Sequence, residues 1–322
     1  MKYVYFIIIA LLLNSCYRDI DLNKHREMEG ENLLTINSII NPDSTVAVAA
    51  TRMFFFSDVH NERVVVSDLD IELHINSEFI EKMRFNAQRK LYESVSRPAI
   101  GDVVSLQTTF NNTKVQTADI IPESVAIESI NAERQGPMHI YSGNDYLLTY
   151  RITFSDNPDE ENFYFLQYDV VDKRYDVDMG ERDFTSEFVF QQLAKQVNGT
   201  LPGWEPYSFY GLPFSDRGIN GKTHTLVVKE KIQGEFSNLT AQKQMNREFK
   251  LYAISKSYYN YLVSLLCNRS DDGGIHGGMI DIGVADPIKV YSNIDGGIGI
   301  LGSYAVEPKV IDIFSFTGKF PQ

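Results

Sequence analysis

Cysteine is nearly missing from this chain, which has only Cys16 and Cys267. A disulfide framework is therefore excluded as the source of its stability, and so is a cysteine-rich zinc site. Histidine is sparse as well: the six, at positions 25, 60, 74, 139, 224 and 276, form no H-x-x-x-H or H-E-x-x-H pair. That removes the usual sequence support for zinc hydrolysis. No G-x-S-x-G elbow occurs, and no apolar run approaches the roughly twenty residues a membrane-spanning helix needs. Positive charge is also in deficit, with 30 Lys and Arg against 43 Asp and Glu and a net charge of −13. Such a surface repels phosphate backbones, and no basic stripe interrupts it, so nucleic acid is not an expected partner.

What is present begins with MKYVYFIIIALLLNSC. The apolar run from Tyr3 to Leu13 suits the core of a secretory signal. Leu13, three positions before Cys16, and the small Ser15 just before it resemble the lipobox of bacterial lipoproteins, which implies cleavage before Cys16 and its acylation. Residues 1–15 then read as a signal peptide and 16–32 as a lipidated, polar, flexible tether. Asp19 and Asp21 resemble the acidic export signal of Bacteroidetes-type lipoproteins, which implies the outer face of the outer membrane. With Cys16 lipidated, Cys267 has no disulfide partner and reads as a small residue at a core boundary.

Residues 33–122 carry one short strand pattern after another: LLTINSII, TVAVAATRMFF, RVVVSDLDIELHI, KLYESV, DVVSLQTTF and KVQTADII. In SDLDIELHI, Leu69, Ile71, Leu73 and Ile75 share one face and Asp68, Asp70, Glu72 and His74 the other, the mark of a sheet with one wet side. Beyond Pro122 the strands lengthen, as in YLLTYRITF, NFYFLQYDVV, KTHTLVVKEKI and REFKLYAIS. One helical pattern breaks them near 257–268, where Tyr258, Tyr261, Leu262, Leu265 and Leu266 recur at helical spacing and Ser255 or Ser257 stands ready to cap. The expected fold is all-β: two β-sandwiches of immunoglobulin-like or transthyretin-like type in tandem, 33–122 and 123–322, the second with one packed helix.

Four features invite a functional reading. GGIGILG spells G-x-G-x-x-G at Gly297, Gly299 and Gly302, but the following SYAVEPKVIDIFSF reads as strand and leaves no room for the crossover helix of a dinucleotide site. The glycines fit an all-β device better: Gly296 and Gly297 for a turn or bulge, Gly299 and Gly302 for close approach of a backbone or ring. Asp156 and Asp159 in SDNPDEEN are candidate calcium ligands without EF-hand spacing, and turn chemistry is the preferred reading. LPGWEPYSFYGLPF sets Trp204, Tyr207, Phe209 and Tyr210 in a loop stiffened by proline, a candidate surface for a glycan or peptide, or else a plug at the sandwich end. Paired carboxylates of the kind a glycosidase uses are everywhere in so acidic a chain and read as solvated surface.

SDNPDEENFYF, GLPFSDRGINGKTHTLVV, ISKSYYNYLVSL and VYSNIDGGIGILGSY, in that order, resemble the exported lipoproteins of Bacteroidetes grouped as domain of unknown function 4249. VVVSDLDIELHI, AIGDVVSLQTTF and TADIIPESVAIESI extend the resemblance through the first half. The most specific element is SNIDGGIGILGSY, with Ser292, Asn293, Gly296, Gly297, Gly299 and Gly302. The resemblance implies a lipid-anchored two-part β protein, often encoded beside a TonB-dependent outer-membrane transporter, and supplies no established activity. The expectation is a non-enzymatic surface module that binds a ligand or assists such a transporter in nutrient uptake, with no cofactor beyond the lipid on Cys16. A structural or adhesive surface protein is the alternative, and a hydrolase with dispersed carboxylates is less favoured.

Overall fold

The computed structural model describes residues 33–52, 64–138, 145–170, 181–184, 186–197, 211–233, 247–267 and 289–311. The first part forms β1 (Leu34–Ile40), β2 (Ala47–Arg52), β3 (Glu72–Ile75), β4 (Glu78–Lys82), β5 (Arg84–Asn86), β6 (Leu91–Glu93), β7 (Val103–Phe110) and β8 (Thr113–Ile120). The second forms β9 (Ile127–Met138), β10 (Asp145–Ser155), β11 (Phe163–Val170), β12 (Glu181–Asp183), α1 (Phe188–Gln196), β13 (Gly211–Ser215), β14 (Thr223–Gln233), β15 (Arg247–Ile254), α2 (Lys256–Cys267) and β16 (Ile298–Ile311). The architecture is all-β and of sandwich type, as the alternating sequence predicts.

Local chemistry accounts for the hairpins. Asn76 and Ser77 link β3 to β4, and Asn111 and Asn112 link β7 to β8, each as a two-residue loop with both residues at positive φ. That is the primed turn whose twist matches the strands it joins, and asparagine tolerates it well. Along β1 the odd partners turn outward while Leu34, Ile36 and Ile40 are buried, so the period-two pattern sets which face meets the core.

Three sheets result. One has eight strands in the order β13-β11-β15-β16-β1-β2-β6-β5, and the others run β12-β14-β10-β9 and β4-β3-β7-β8. The long β16 belongs to both halves. Ile298 to Ser303 pair in parallel with β1, and Tyr304 to Ile311 pair antiparallel with β15. The sequence reading places β16 wholly in the C-terminal sandwich, 123–322; its first half nonetheless lies against β1, and Leu301 is buried in the N-terminal core beside Leu34, Leu73 and Leu106. Pro308 is tolerated because Ser255 N donates to Ser303 O, which phases the ladder so that the missing N–H of Pro308 faces away from β15.

The helices differ from expectation in number and in phase. Besides α2 there is α1, a nine-residue helix, FVFQQLAKQ, too short for periodicity to reveal. Helix α2 is capped by Ser255, whose Oγ accepts from Tyr258 N at 3.1 Å. Its buried face is Tyr259, Leu262, Val263 and Leu266, whereas Tyr258, Tyr261 and Leu265 are only half-buried. A helix this apolar presents several stripes of similar strength, and partners choose among them. Tyr259 wins because its ring lies 4.7 Å from that of Phe163 and its hydroxyl donates to Gln196 Oε1 at 2.9 Å.

The C-terminal core holds charge as well as apolar bulk. Glu230 on β14 and Arg247 on β15 face each other across the two sheets, with Arg247 Nη2 donating to Glu230 Oε1 at 2.8 Å and Nε to Oε2 at 3.1 Å. Tyr150 on β10 donates its hydroxyl to the same Oε2 at 2.7 Å. Both charged residues are essentially sealed from solvent, at 0% and 1% exposure. Burial pushes the guanidinium down, and the Glu230 carboxylate more than offsets it, so Arg247 stays firmly protonated. Tyr168 stacks on Phe249 with ring centroids 5.1 Å apart and carries Arg182 over its ring, completing the packing around the pair.

Candidate functional site: a cleft between the two helices

A cleft of about 1000 Å³ opens where α1, α2, the start of β11 and the turn after β13 converge. Its floor is apolar, formed by Phe163, Val189, Leu193 and Tyr259. Its walls are polar. Gln192 and Gln196 project from α1, Asn260 from α2, and Asn220 from the turn after β13. The walls are fastened to one another: Gln192 Nε2 donates to Arg217 O at 3.1 Å, and Tyr259 bonds Gln196 as described. Helix α1 is itself held by Glu187, buried at its N-cap, whose Oε2 accepts from Val227 N at 2.7 Å and whose Oε1 is 3.1 Å from His224 Nε2.

Charges of both signs line the rim. Lys256 donates to Glu161 at 2.8 Å, which raises the ammonium pKa. Asp216 is buried, accepts from Asn162 N at 3.0 Å, and is pushed up by burial, with the neighbouring carboxylates of Asp156 and Glu161 adding to the rise. Lys195 and Arg217 are exposed on the rim and have no ion-pair partner among the described residues.

Asp156 and Asp159, the sequence-derived ligand candidates among the described residues, fall outside the cleft. Trp204, Tyr207, Phe209 and Tyr210, like Cys16, lie outside the described residues. Asp156 is buried with both carboxylate oxygens engaged, Oδ1 by the Tyr164 hydroxyl and Oδ2 by Gly221 N at 2.7 Å. It braces the β10–β11 turn against the β13–β14 turn. Asp159 is exposed, with its N–H turned to Asn157 Oδ1 in an Asx turn. Among the described residues, no group of three or more His, Cys, Asp or Glu is placed to hold a metal ion. Cys267 is half-buried against the C-terminal core, and burial pushes its thiol up.

The model of one family, described as a domain of unknown function, DUF4249, matches residues 19–309. The chain belongs to the DUF4249 family. No curated protein matches it. Among solved structures, a Corynebacterium diphtheriae protein described as membrane anchored is similar at 9% identity and a TM-score of 0.21, over 70% of this chain and 55% of that one. A glycosyl hydrolase family 2 member from Bacteroides cellulosilyticus is similar at 13% identity and a TM-score of 0.17, over 66% of this chain and 23% of the other. The chain thus spans about half the first structure and about a quarter of the second. Likenesses this distant carry no functional argument.

Within this DUF4249 chain the SNIDGGIGILG segment ties the two sandwiches together. The Asn293 side chain imitates a peptide, donating to Leu301 O at 2.8 Å and accepting from Leu301 N at 3.0 Å, while Ser292 Oγ accepts from Ile294 N. Asp295 exchanges two backbone hydrogen bonds with Gln116 on β8, and Thr117 Oγ1 donates to Asn293 O. Gly296 has φ of +72° with Lys114 O so close that a Cβ would fall 2.1 Å from it, and a Cβ on Gly302 would fall 2.9 Å from that of Tyr258. Three of the segments that carry the family resemblance, DEENFYF, GLPFSDRGIN and SKSYYN, instead supply walls of the cleft.

Beside this clasp, Asp119 on β8 is buried against the start of α2, with the hydroxyls of Ser255, Ser303 and Ser257 around it and Oδ2 unbonded. Burial raises its carboxyl to about 6, and the serine hydroxyls pull the other way. Because the folded value lies above the ordinary 3.8, the fold favours the protonated form. This contribution is complete below about pH 3.8 and is lost as pH rises through about 6. Asp119→Asn keeps the shape and discards the charge. It is expected to raise stability at pH 7.5 by about 1–3 kcal/mol and to flatten the urea-midpoint profile between pH 4 and 7. A variant no more stable than the parent at pH 7.5 would show that the serines already satisfy the carboxylate.

Proposed function

We propose that this chain is a non-enzymatic surface lipoprotein, held in the outer membrane through Cys16, that binds a polar ligand and serves a TonB-dependent transporter as an accessory in nutrient uptake. The observation that carries the reading is the cleft, where three separate family-like segments meet helix α1. Its apolar floor and amide walls are the make-up of a binding site, in which a few placed polar groups orient a ligand over a hydrophobic base. The lipobox and tether support the address. Crosslinking a tagged chain on intact cells, followed by mass spectrometry, tests the partnership. Recovery of an outer-membrane transporter is expected, and a clean recovery lacking one would remove the transporter from the reading.

One observation favours the adhesive alternative. Strand β4 is an edge of its sheet and exposes Phe79 at 55% and Ile80 at 38%, an opening for strand addition by another chain. If that edge assembles copies, sedimentation will show mass rising with concentration, and Phe79→Lys will abolish the rise. A monomer over the whole concentration range would dispose of it.

A further inference from the structure

Of the charged groups in the cleft, Glu161, Lys256 and Asp216 are already committed, and the two that are not share a sign. Glu161 is neutralised by Lys256, and Asp216 is buried and bonded to a backbone N–H. Lys195 and Arg217 remain without a carboxylate among the described residues. They stand on different walls of the same cavity. Gln192 fastens the carbonyl of Arg217 to α1, and Lys195 lies one helical turn beyond Gln192 on that face. In a chain of net charge −13, two unpaired cations brought to one cleft form a local exception to the field of the whole molecule. A guanidinium with a rigid fork and a mobile ammonium suit a carboxylate shared between them.

The remaining walls narrow the rest of the ligand. Gln192 and Gln196 each use one amide atom within the walls, and with Asn220 and Asn260 they still offer amide donors and acceptors to the cleft, the groups that neighbouring hydroxyls on a sugar ring answer. The floor of Phe163, Val189 and Leu193 gives the C–H face of such a ring an apolar seat. At about 1000 Å³ the cleft is at the upper end of small-molecule sites, room for more than a single ring. We infer that the cleft binds an acidic oligosaccharide, a uronate-bearing glycan whose carboxylate lies between Lys195 and Arg217. The inference rests on the cleft being the binding site.

Calorimetry on the full detergent-solubilised chain tests this with three probes: trigalacturonate, the uncharged trigalactose, and a triglutamate peptide. Trigalacturonate should bind, its affinity falling as salt rises, and trigalactose should bind at least tenfold more weakly. Arg217→Gln and Lys195→Gln, both at exposed positions and so harmless to folding, should each weaken trigalacturonate roughly tenfold or more and narrow its lead over trigalactose. Equal binding of the charged and uncharged sugars would overturn the carboxylate assignment while leaving the cleft as the binding site. Preference for triglutamate would overturn the saccharide assignment. Heat from none of the three would overturn the inference, and the crosslinking result would then stand or fall separately.

Discussion

Glu230→Ala should cost about 3–5 kcal/mol of folding stability, the range for removing one partner of a buried ion pair. The reason lies in what is left behind. Arg247 is 1% exposed, its guanidinium is held charged by the carboxylate between the sheets, and Tyr150 loses the acceptor for its hydroxyl in the same step. A guanidinium that has lost this carboxylate cannot shed its proton near neutral pH, so its charge is no longer offset by Glu230 in the core. For a protein of this size the melting temperature should fall by roughly 2–4 °C for each kcal/mol. The paired replacement Glu230→Leu, Arg247→Met separates the value of the bridge from the penalty of breaking it. With both charges gone the core keeps only the Tyr150 hydroxyl deprived of its acceptor, and stability should return to within about 1–2 kcal/mol of the parent. If the double variant is as unstable as the single one, the pair contributes packing geometry that apolar residues of similar size do not replace.

Glu230 and Arg247 also show how much of the interior is written in the chain. In THTLVVKEKI the alternation that buries Leu226 and Val228 carries Glu230 inward, and in REFKLYAI the phase of Phe249 and Leu251 carries Arg247 inward. A charge on the buried phase of a strand is a legible signal. Asp119 gives it too, in step with Val115 and Thr117 on β8. Period two thus conveys the strands, their faces and the all-β class. It does not convey pairing between distant strands. The parallel contact of Thr35 with Ile298 joins opposite ends of the chain, and nothing local to either strand specifies the other. The cleft is hidden for a similar reason. Glu161, Arg217 and Asn260 read in sequence as turn and helix-surface residues, and only the packing of α1 and α2 beside β13 puts them around one volume. Helix phase fell between these cases, since Leu262 and Leu266 follow from spacing but Tyr259 is selected by Phe163.

The close approach of β1 and β16 sets up the second large effect. Gly299 pairs with Ile36 at φ of +114°, and a Cβ built there would lie 2.0 Å from Ile36 O, a backbone atom that no side-chain rotation relieves. Gly299→Ala therefore adds steric displacement of a buried strand to an unfavourable backbone conformation, and should cost about 3 kcal/mol or more. Gly101→Ala is the matched comparison. Its φ of +85° is also left-handed, but nothing lies within 4 Å of the new methyl group, so it should lose only the conformational part, about 1 kcal/mol. The excess at Gly299 isolates the cost of parting the strands. Because β16 completes both sandwiches, that cost has a structural signature beyond its size. The N-terminal core, which depends on Leu301 and the β1 pairing, should unfold at lower urea than the C-terminal core, splitting one transition into two. Hydrogen exchange would find β1 and β2 released first while β10 and β14 stay protected. A single transition shifted no further than that of Gly101→Ala would mean that β1 and β16 can separate without cost to either core, and the shared strand would then be a contact rather than the joint between the two halves.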